Sequence, residues 1–297
     1  MIDVMNFHIP QRDHIQYHRP ANVEDAVKCL QEAQEGRAAI IAGGTDLMID
    51  IRSGEFKGDC LVDVKGITEM QSLKEEDGRI SIGAAVSIEE LRQSKLINEK
   101  LPALACAANK FAGLQVRNQG TIGGNVGHAA PCGDTHPPII LYDGLVELAT
   151  PEGRKTVLLE ETLAGPNKSA LKNTDVIVRF ILTPQKAALA DFQKIGRRKD
   201  LAISRVSLAM MLDTDASGNI SLAKVVLGAC MPTTRRMPQT EAKLVGQKPG
   251  WKVFREAAEQ MAAEMIEITG RRKSVIYKEP AIQGLFLRMA MPMIKGA

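Results

Sequence analysis

Ala26, Val27, Leu30 and Ala33 recur at the three- and four-residue spacing of a helix with one apolar face. Asn22, with Asp25 three positions later, forms a capping-box pattern ahead of that run, and Gly36 supplies a stop. Residues 38–42 are apolar without interruption and predict a buried strand leading into a Gly-Gly turn. Thr45 or Asp46 then caps a short apolar segment ending at Ile51. Short strands are predicted at 61–64 and 80–83, and Ser87 with Glu90 makes a second capping box ahead of Leu91. Leu104, Ala105, Ala108 and Phe111 share one face of a helix over 101–111. Further strands at 145–149 and 175–182 alternate with turns at Pro151 and Pro166.

The pattern changes at 183–190, a polar stretch with a proline and several alanines. Beyond it, strands are predicted at 191–196, 206–212 and 220–227, with Asp215-Ala216-Ser217-Gly218-Asn219 as the turn between the last two. Val253, Phe254, Ala257, Ala258, Met261, Ala262, Met265 and Ile266 form a wide apolar helix face, a core signal. A final helix is predicted over 280–289, with Pro280 in its first turn. The change of pattern at 183–190 predicts a domain boundary there.

At 297 residues and 44% hydrophobic content the chain can build a core for two or three domains. Lys+Arg 38 against Asp+Glu 35 is too balanced for a nucleic-acid footprint, and 4% aromatic content argues against base-stacking platforms. No stretch has the apolar length of a membrane span, and residues 1–20 carry His and Gln where a signal peptide needs an apolar core. A soluble, cytoplasmic protein is expected. Cys29, Cys60, Cys106, Cys132 and Cys230 lie far apart, so neither a disulfide framework nor the usual thiolate spacing of an iron–sulfur cluster is present.

Residues 120–127 contain four glycines in eight positions, and Gly43-Gly44 upstream has the same character. Successive amides in such segments can converge on an anion such as a phosphate. Neither segment fits the dinucleotide fingerprint G-x-G-x-x-G or a Walker loop. Two structural turns, or two loops closing on one ligand, are the alternatives, and the pairing favours the ligand. Asp46 would repel a phosphate, so its side chain is expected to cap local amides and leave the backbone N–H groups to the anion. His128, Cys132, Asp134 and His136 crowd nine positions. They read as a metal cluster or, preferred, as a turn whose Asp134 accepts a sugar hydroxyl. Basic runs at 197–199, 235–236 and 271–273 read as solvated faces, with Lys194 able to reach a ligand between domains. His8, His14 and His18 read as surface residues, and no hydrolytic triad offers itself.

AGGTDL at 42–47, QVRNQGTIGGNV at 115–126 and PCGD at 131–134 resemble the FAD-binding, or medium, subunit of molybdenum hydroxylases of the xanthine dehydrogenase and carbon monoxide dehydrogenase type. Tyr17-His18-Arg19-Pro20 and QKIGRR at 193–198 match as well, so the likeness spans essentially the whole chain. The resemblance implies an α+β fold: a vanillyl-alcohol-oxidase (PCMH)-type FAD-binding domain of two subdomains, 1–58 and 59–185, plus a C-terminal sheet-and-helix domain, 186–297. It implies that Ile40, Ile41, Ala42, Gly43, Gly44, Thr45, Asp46 and Leu47, with Thr121, Ile122, Gly123, Gly124 and Asn125, hold FAD around its pyrophosphate. It places Asp134 near the ribose, Lys194 near the flavin and Ile177 against the cofactor.

It further implies partners: a molybdopterin-binding large subunit that hydroxylates the substrate, and a small subunit carrying two [2Fe–2S] clusters. This chain would take electrons from those clusters and pass them to NAD or another acceptor, holding no metal and no catalytic residue of its own. The cluster-bearing insert of some relatives is missing, in line with the cysteine spacing. The alternatives are a stand-alone FAD-dependent oxidoreductase of the same fold and a flavin-free nucleotide-binding or scaffold module.

Overall fold

The computed structural model describes residues 15–33, 36–199 and 201–295. Strand β1 (Gln16–His18), helix α1 (Val23–Glu32), β2 (Ala38–Ile41), α2 (Leu47–Ser53) and β3 (Cys60–Asp63) build a parallel sheet of order β1-β3-β2. The helical spacing ahead of Gly36 is real, for Val23, Ala26, Val27 and Leu30 are buried. Asn22 accepts from the Asp25 amide at 2.8 Å, although the reciprocal half of a capping box is replaced by a side-chain bond between the two. The helix stops earlier than expected, at Glu32, because Ala33 turns extended; Gly36 belongs to the following turn. Strand β2 is half-buried instead of buried, since a cleft runs along one of its faces. Tyr17 donates to Asp63 at 2.5 Å, tying β1 to the end of β3. The first sheet thus runs past residue 58 to Asp63.

Strands β4 (Leu73–Glu76) and β5 (Arg79–Gly83) begin a second, antiparallel sheet. Six short helices follow: α3 (Ile88–Gln93), α4 (Lys95–Lys100), α5 (Pro102–Lys110), α6 (Leu114–Gln119), α7 (Ile122–Gly127) and α8 (His136–Leu141). Ser87 and Glu90 form the expected capping box at α3. Strands β6 (Leu145–Thr150) and β7 (Gly153–Leu158), a small hairpin of β8 (Leu163–Gly165) with β9 (Lys168–Ser169), and β10 (Val176–Leu182) come next. The second sheet has the order β4-β5-β10-β6-β7. Arg154 on β7 bonds Glu24 of α1, Glu69 and Glu147, so one guanidinium joins the first two units.

The third sheet consists of β11 (Leu189–Gly196), β12 (Ser204–Thr214), β13 (Ile220–Gly228) and β14 (Arg235–Arg236), in sequence order. Successive side chains of a strand point to opposite faces, and both faces are buried here. Phe192, Ala209, Met211 and Val226 join the core of the first two units. Val206, Leu208, Met210, Leu212, Val225 and Leu227 face the terminal helices α9 (Pro238–Leu244), α10 (Trp251–Thr269) and α11 (Val275–Lys295). The expected face of α10 is the one buried, and Phe254 meets Phe286 edge-on at 6.5 Å. Helix α11 begins at Val275, so Pro280 lies inside it instead of in its first turn. Among the described residues no helix is long and apolar enough to cross a membrane.

Helix α9 has no capping side chain of its own. The buried Glu264 of α10 supplies one, accepting from the Thr240 amide at 3.1 Å and the Thr240 hydroxyl at 2.9 Å. Glu264→Ala is expected to cost about 1.5–3 kcal/mol, the worth of hydrogen bonds to a charged group. Urea unfolding followed by circular dichroism measures it.

Candidate functional site

Between the first two sheets lies a cleft of about 360 Å³, floored by Ile40 and Ile41 of β2 and rimmed by both glycine segments and Ile177 of β10. At its entrance Gly44 has φ +66°, the left-handed region that glycine adopts without strain. A Cβ on Gly43 would overlap the carbonyl oxygen of Gln119. The two glycine segments therefore touch backbone to backbone. Asp46 does not cap as expected: it takes a helical backbone at the start of α2, and among the described residues its carboxylate accepts only from the Thr45 hydroxyl at 3.2 Å. Among the described residues, the amides of Gly43, Gly44, Thr45, Asp46 and Leu47 make no hydrogen bond. A run of free amides ahead of a helix is the donor set that an anion requires.

The second segment differs from the open loop expected. Thr121 caps α7, accepting from the Gly124 amide at 3.0 Å, while Ile122 donates to Val86, Gly123 to Ala84 and Asn125 to Thr121. The amides of Ile122, Gly123, Gly124 and Asn125 are spent on the fold, so the segment shapes a wall. Of residues 121–125 the Thr121 amide alone makes no hydrogen bond among the described residues, and the longer run of free donors is in the first loop. Gly123 lies where a Cβ would sit 2.6 Å from that of Ala84. Gly124 faces the cleft, and a Cβ there would approach only the Thr121 hydroxyl, at 3.1 Å. Ile122 is buried in the core away from the cleft.

Two buried groups hold this wall. Arg117 of α6 donates to Glu89 of α3 at 2.7 Å and to the carbonyls of Phe111 and Ala112. Arg92 completes the pair, and the two guanidiniums hold the Glu89 carboxyl down at about 2. On the far side His136 is fully buried, and burial lowers its pKa to about 4, so the ring is neutral and donates to the Asn125 carbonyl at 3.1 Å. Thr135 donates its hydroxyl to the Asn125 side-chain oxygen at 2.6 Å, which leaves the Asn125 side-chain nitrogen, Nδ2, free at the cleft among the described residues. His136 thus serves as a packed donor; among the described residues no three His, Cys, Asp or Glu side chains gather as metal ligands.

Asp134 and Lys194 meet each other away from the cleft lining. Lys194 donates to one Asp134 oxygen at 2.5 Å and the Ser204 hydroxyl donates to the other at 2.6 Å, so both carboxylate oxygens are taken. Burial pushes the Asp134 carboxyl up, against the pull of Lys194 and Ser204. The remaining expected residues, Ile40 to Leu47, Thr121, Gly123, Gly124, Asn125 and Ile177, all line the cleft. Sequence reasoning missed Phe111, His128 and the stretch from Ser169 to Val176, which supplies a whole wall. Phe111 ends an apolar helix and reads as core, and the other stretch has no glycine signature. His18 lies in β1's end, half-exposed, while His8 and His14 fall outside the described residues.

Residues 13–185 match the family described as the FAD binding domain in molybdopterin dehydrogenase, and residues 191–293 match the CO dehydrogenase flavoprotein C-terminal domain. The xanthine dehydrogenase FAD-binding subunit of Escherichia coli O157:H7 is 32% identical over 233 residues, 77% of this chain and 78% of that protein. The nicotinate dehydrogenase FAD-subunit of Eubacterium barkeri is 27% identical over 283 residues, 94% of this chain and 96% of that protein. Among solved structures, carbon monoxide dehydrogenase from Hydrogenophaga pseudoflava aligns with a TM-score of 0.87 at 26% identity, over 95% of this chain and 98% of that one.

Glu89→Gln is expected to destabilise the chain by about 1.5–3 kcal/mol at neutral pH, by weakening charged hydrogen bonds to Arg92 and Arg117. A depressed carboxyl pKa stabilises the fold above its unfolded value of 4.5, and that stabilisation is lost as pH falls through about 2. The stability difference between wild type and variant should therefore be constant above about pH 5. It should shrink below pH 4.5, as measured by denaturant titration at stepped pH.

Proposed function

As the chain belongs to the family of FAD-binding domains of molybdopterin dehydrogenases, we propose that it is the flavoprotein subunit of a cytoplasmic molybdenum hydroxylase. In that role it takes electrons from [2Fe–2S] clusters on a small partner subunit and passes them to NAD or another acceptor. A large molybdopterin-binding partner oxidises the substrate. The observation that carries the reading is the run of free amides from Gly43 to Leu47 at the mouth of the cleft. Such a run fits a pyrophosphate, and the cleft's volume lies in the range of small-molecule sites.

Bound FAD supplies transfer of electrons singly or in pairs. The chain's part is to bind and orient. The amides of Gly43 to Leu47 would donate to the pyrophosphate, and the free side-chain nitrogen of Asn125 would add a donor from α7. Phe111, Met70 and Ile177 offer apolar surface for a flat ring system and exclude water from it. Asp134 and Lys194 bond each other outside the cleft lining, so direct contact of either with ribose or flavin requires that bond to open. The five cysteines are all free, as suits a reducing compartment.

Gly124→Val is expected to abolish FAD retention while the chain stays folded, because the branched side chain would enter the cleft and crowd only the Thr121 hydroxyl. Absorbance of the purified variant checks it: stoichiometric flavin on a folded Gly124→Val chain would remove α7 from the site. The isolated wild-type chain should carry FAD and yet oxidise no purine or other heterocycle, since it has no clustered thiolates to relay electrons. Adding molybdenum and iron–sulfur partner chains should restore substrate-dependent bleaching of the flavin. Turnover by the isolated chain, free of molybdenum and iron, would instead establish a stand-alone oxidoreductase.

A further inference from the structure

We propose that Asp175 is a ligand-recognition residue of the cleft, its unpaired carboxylate oxygen accepting a hydrogen bond from a neutral N–H or O–H donor of the bound flavin nucleotide. The inference rests on the FAD reading above. Asp175 immediately precedes β10, two positions ahead of Ile177, and both residues line the cleft. It is only 5% exposed. One carboxylate oxygen, Oδ2, accepts from the Lys172 amide at 3.0 Å, and the Asp175 amide donates back to the Lys172 carbonyl at 3.0 Å, closing the turn in both directions. The other, Oδ1, is buried without any partner. The ammonium of Lys172 turns away to Glu152, at 3.7 Å.

Ser81, Arg179, Ser207, Thr234 and Arg235 also bury a polar atom that makes no hydrogen bond among the described residues, but none of them lines the cleft. Asp175 alone among the described residues combines the two features. Leaving a carboxylate oxygen buried and unbonded is costly unless a donor arrives. A phosphate cannot be that donor, because two anions repel. The complementary groups are the neutral donors of the nucleotide: the adenine amino group, a sugar or ribityl hydroxyl, or the flavin imide.

The test uses the full chain, flavin-free and reloaded, and the variant Asp175→Asn. Asparagine keeps an oxygen for the Lys172 amide and places an NH2 where Oδ1 stood, turning acceptor into donor. FAD affinity should fall about 10- to 100-fold, the loss of a charge-assisted hydrogen bond. The flavin-free variant should melt at or above the wild-type temperature, while the FAD-induced rise in melting temperature shrinks. A merely structural role would lower the melting temperature of the flavin-free chain.

Two further ligands identify the donor. A hypoxanthine analogue of FAD, bound more weakly than FAD by wild type and equally by the variant, assigns the adenine amino group. A matching loss for FMN assigns the flavin half. Loss for FAD and its analogue alike, with FMN unaffected, assigns a hydroxyl of the adenosine sugar. FAD affinity of Asp175→Asn within twofold of wild type, or a flavin-free variant that melts lower, overturns the inference. Failure of the wild-type chain to take up FAD would instead sink the FAD reading, and this inference with it.

Discussion

The backbone of Gly43 rests on the carbonyl of Gln119, at a separation that no side chain larger than hydrogen allows. That one contact fixes the distance between a parallel three-stranded sheet and an antiparallel five-stranded one, and so sets the width of the cleft between them. Its partners are arranged accordingly. Lys65, just past β3, reaches the Gln119 side chain at 2.7 Å, and the Glu89–Arg117 pair holds α6 from behind. A glycine at 43 is therefore a packing requirement first, and the free amides beside it follow from the turn that the packing imposes.

The division of labour between the two glycine segments explains much of what could be read from the sequence. Both were visible as glycine clusters, because glycine marks places where backbone approaches backbone. Their difference was not visible. Whether an amide is spent or free depends on what lies opposite, and the residues opposite the second segment, Ala84 and Val86, carry no motif. The same limit applies to helices α4, α6 and α7, which are six residues each and too short for a period to emerge. By contrast α10 is nineteen residues long and its apolar face stood out. The Ser87–Glu90 box is local chemistry and could be read directly.

Side-chain pairs across long separations were the least legible part of the site. Glu89 looked like one of two acidic residues in the first turn of a helix, and its role is set by an arginine 28 positions away. His136 and Asp134 carried residue types that suggest metal or sugar chemistry, yet one is a neutral donor to Asn125 and the other is paired with Lys194. In each case the decisive quantity is burial, which a single sequence does not display for a polar residue.

The third sheet gives its two faces to two different cores, with Phe192, Ala209, Met211 and Val226 on one side and Val206, Leu208 and Met210 on the other. The chain can be divided in sequence near residue 186, where one matched segment ends and the next is about to begin. Physically it has no such seam. A fragment cut there would strip the apolar cover from α5 and α8 on one half and expose a bare sheet face on the other. Modularity of sequence and independence of folding are separate properties, and here the sheet that joins the two cores can be assigned to neither alone.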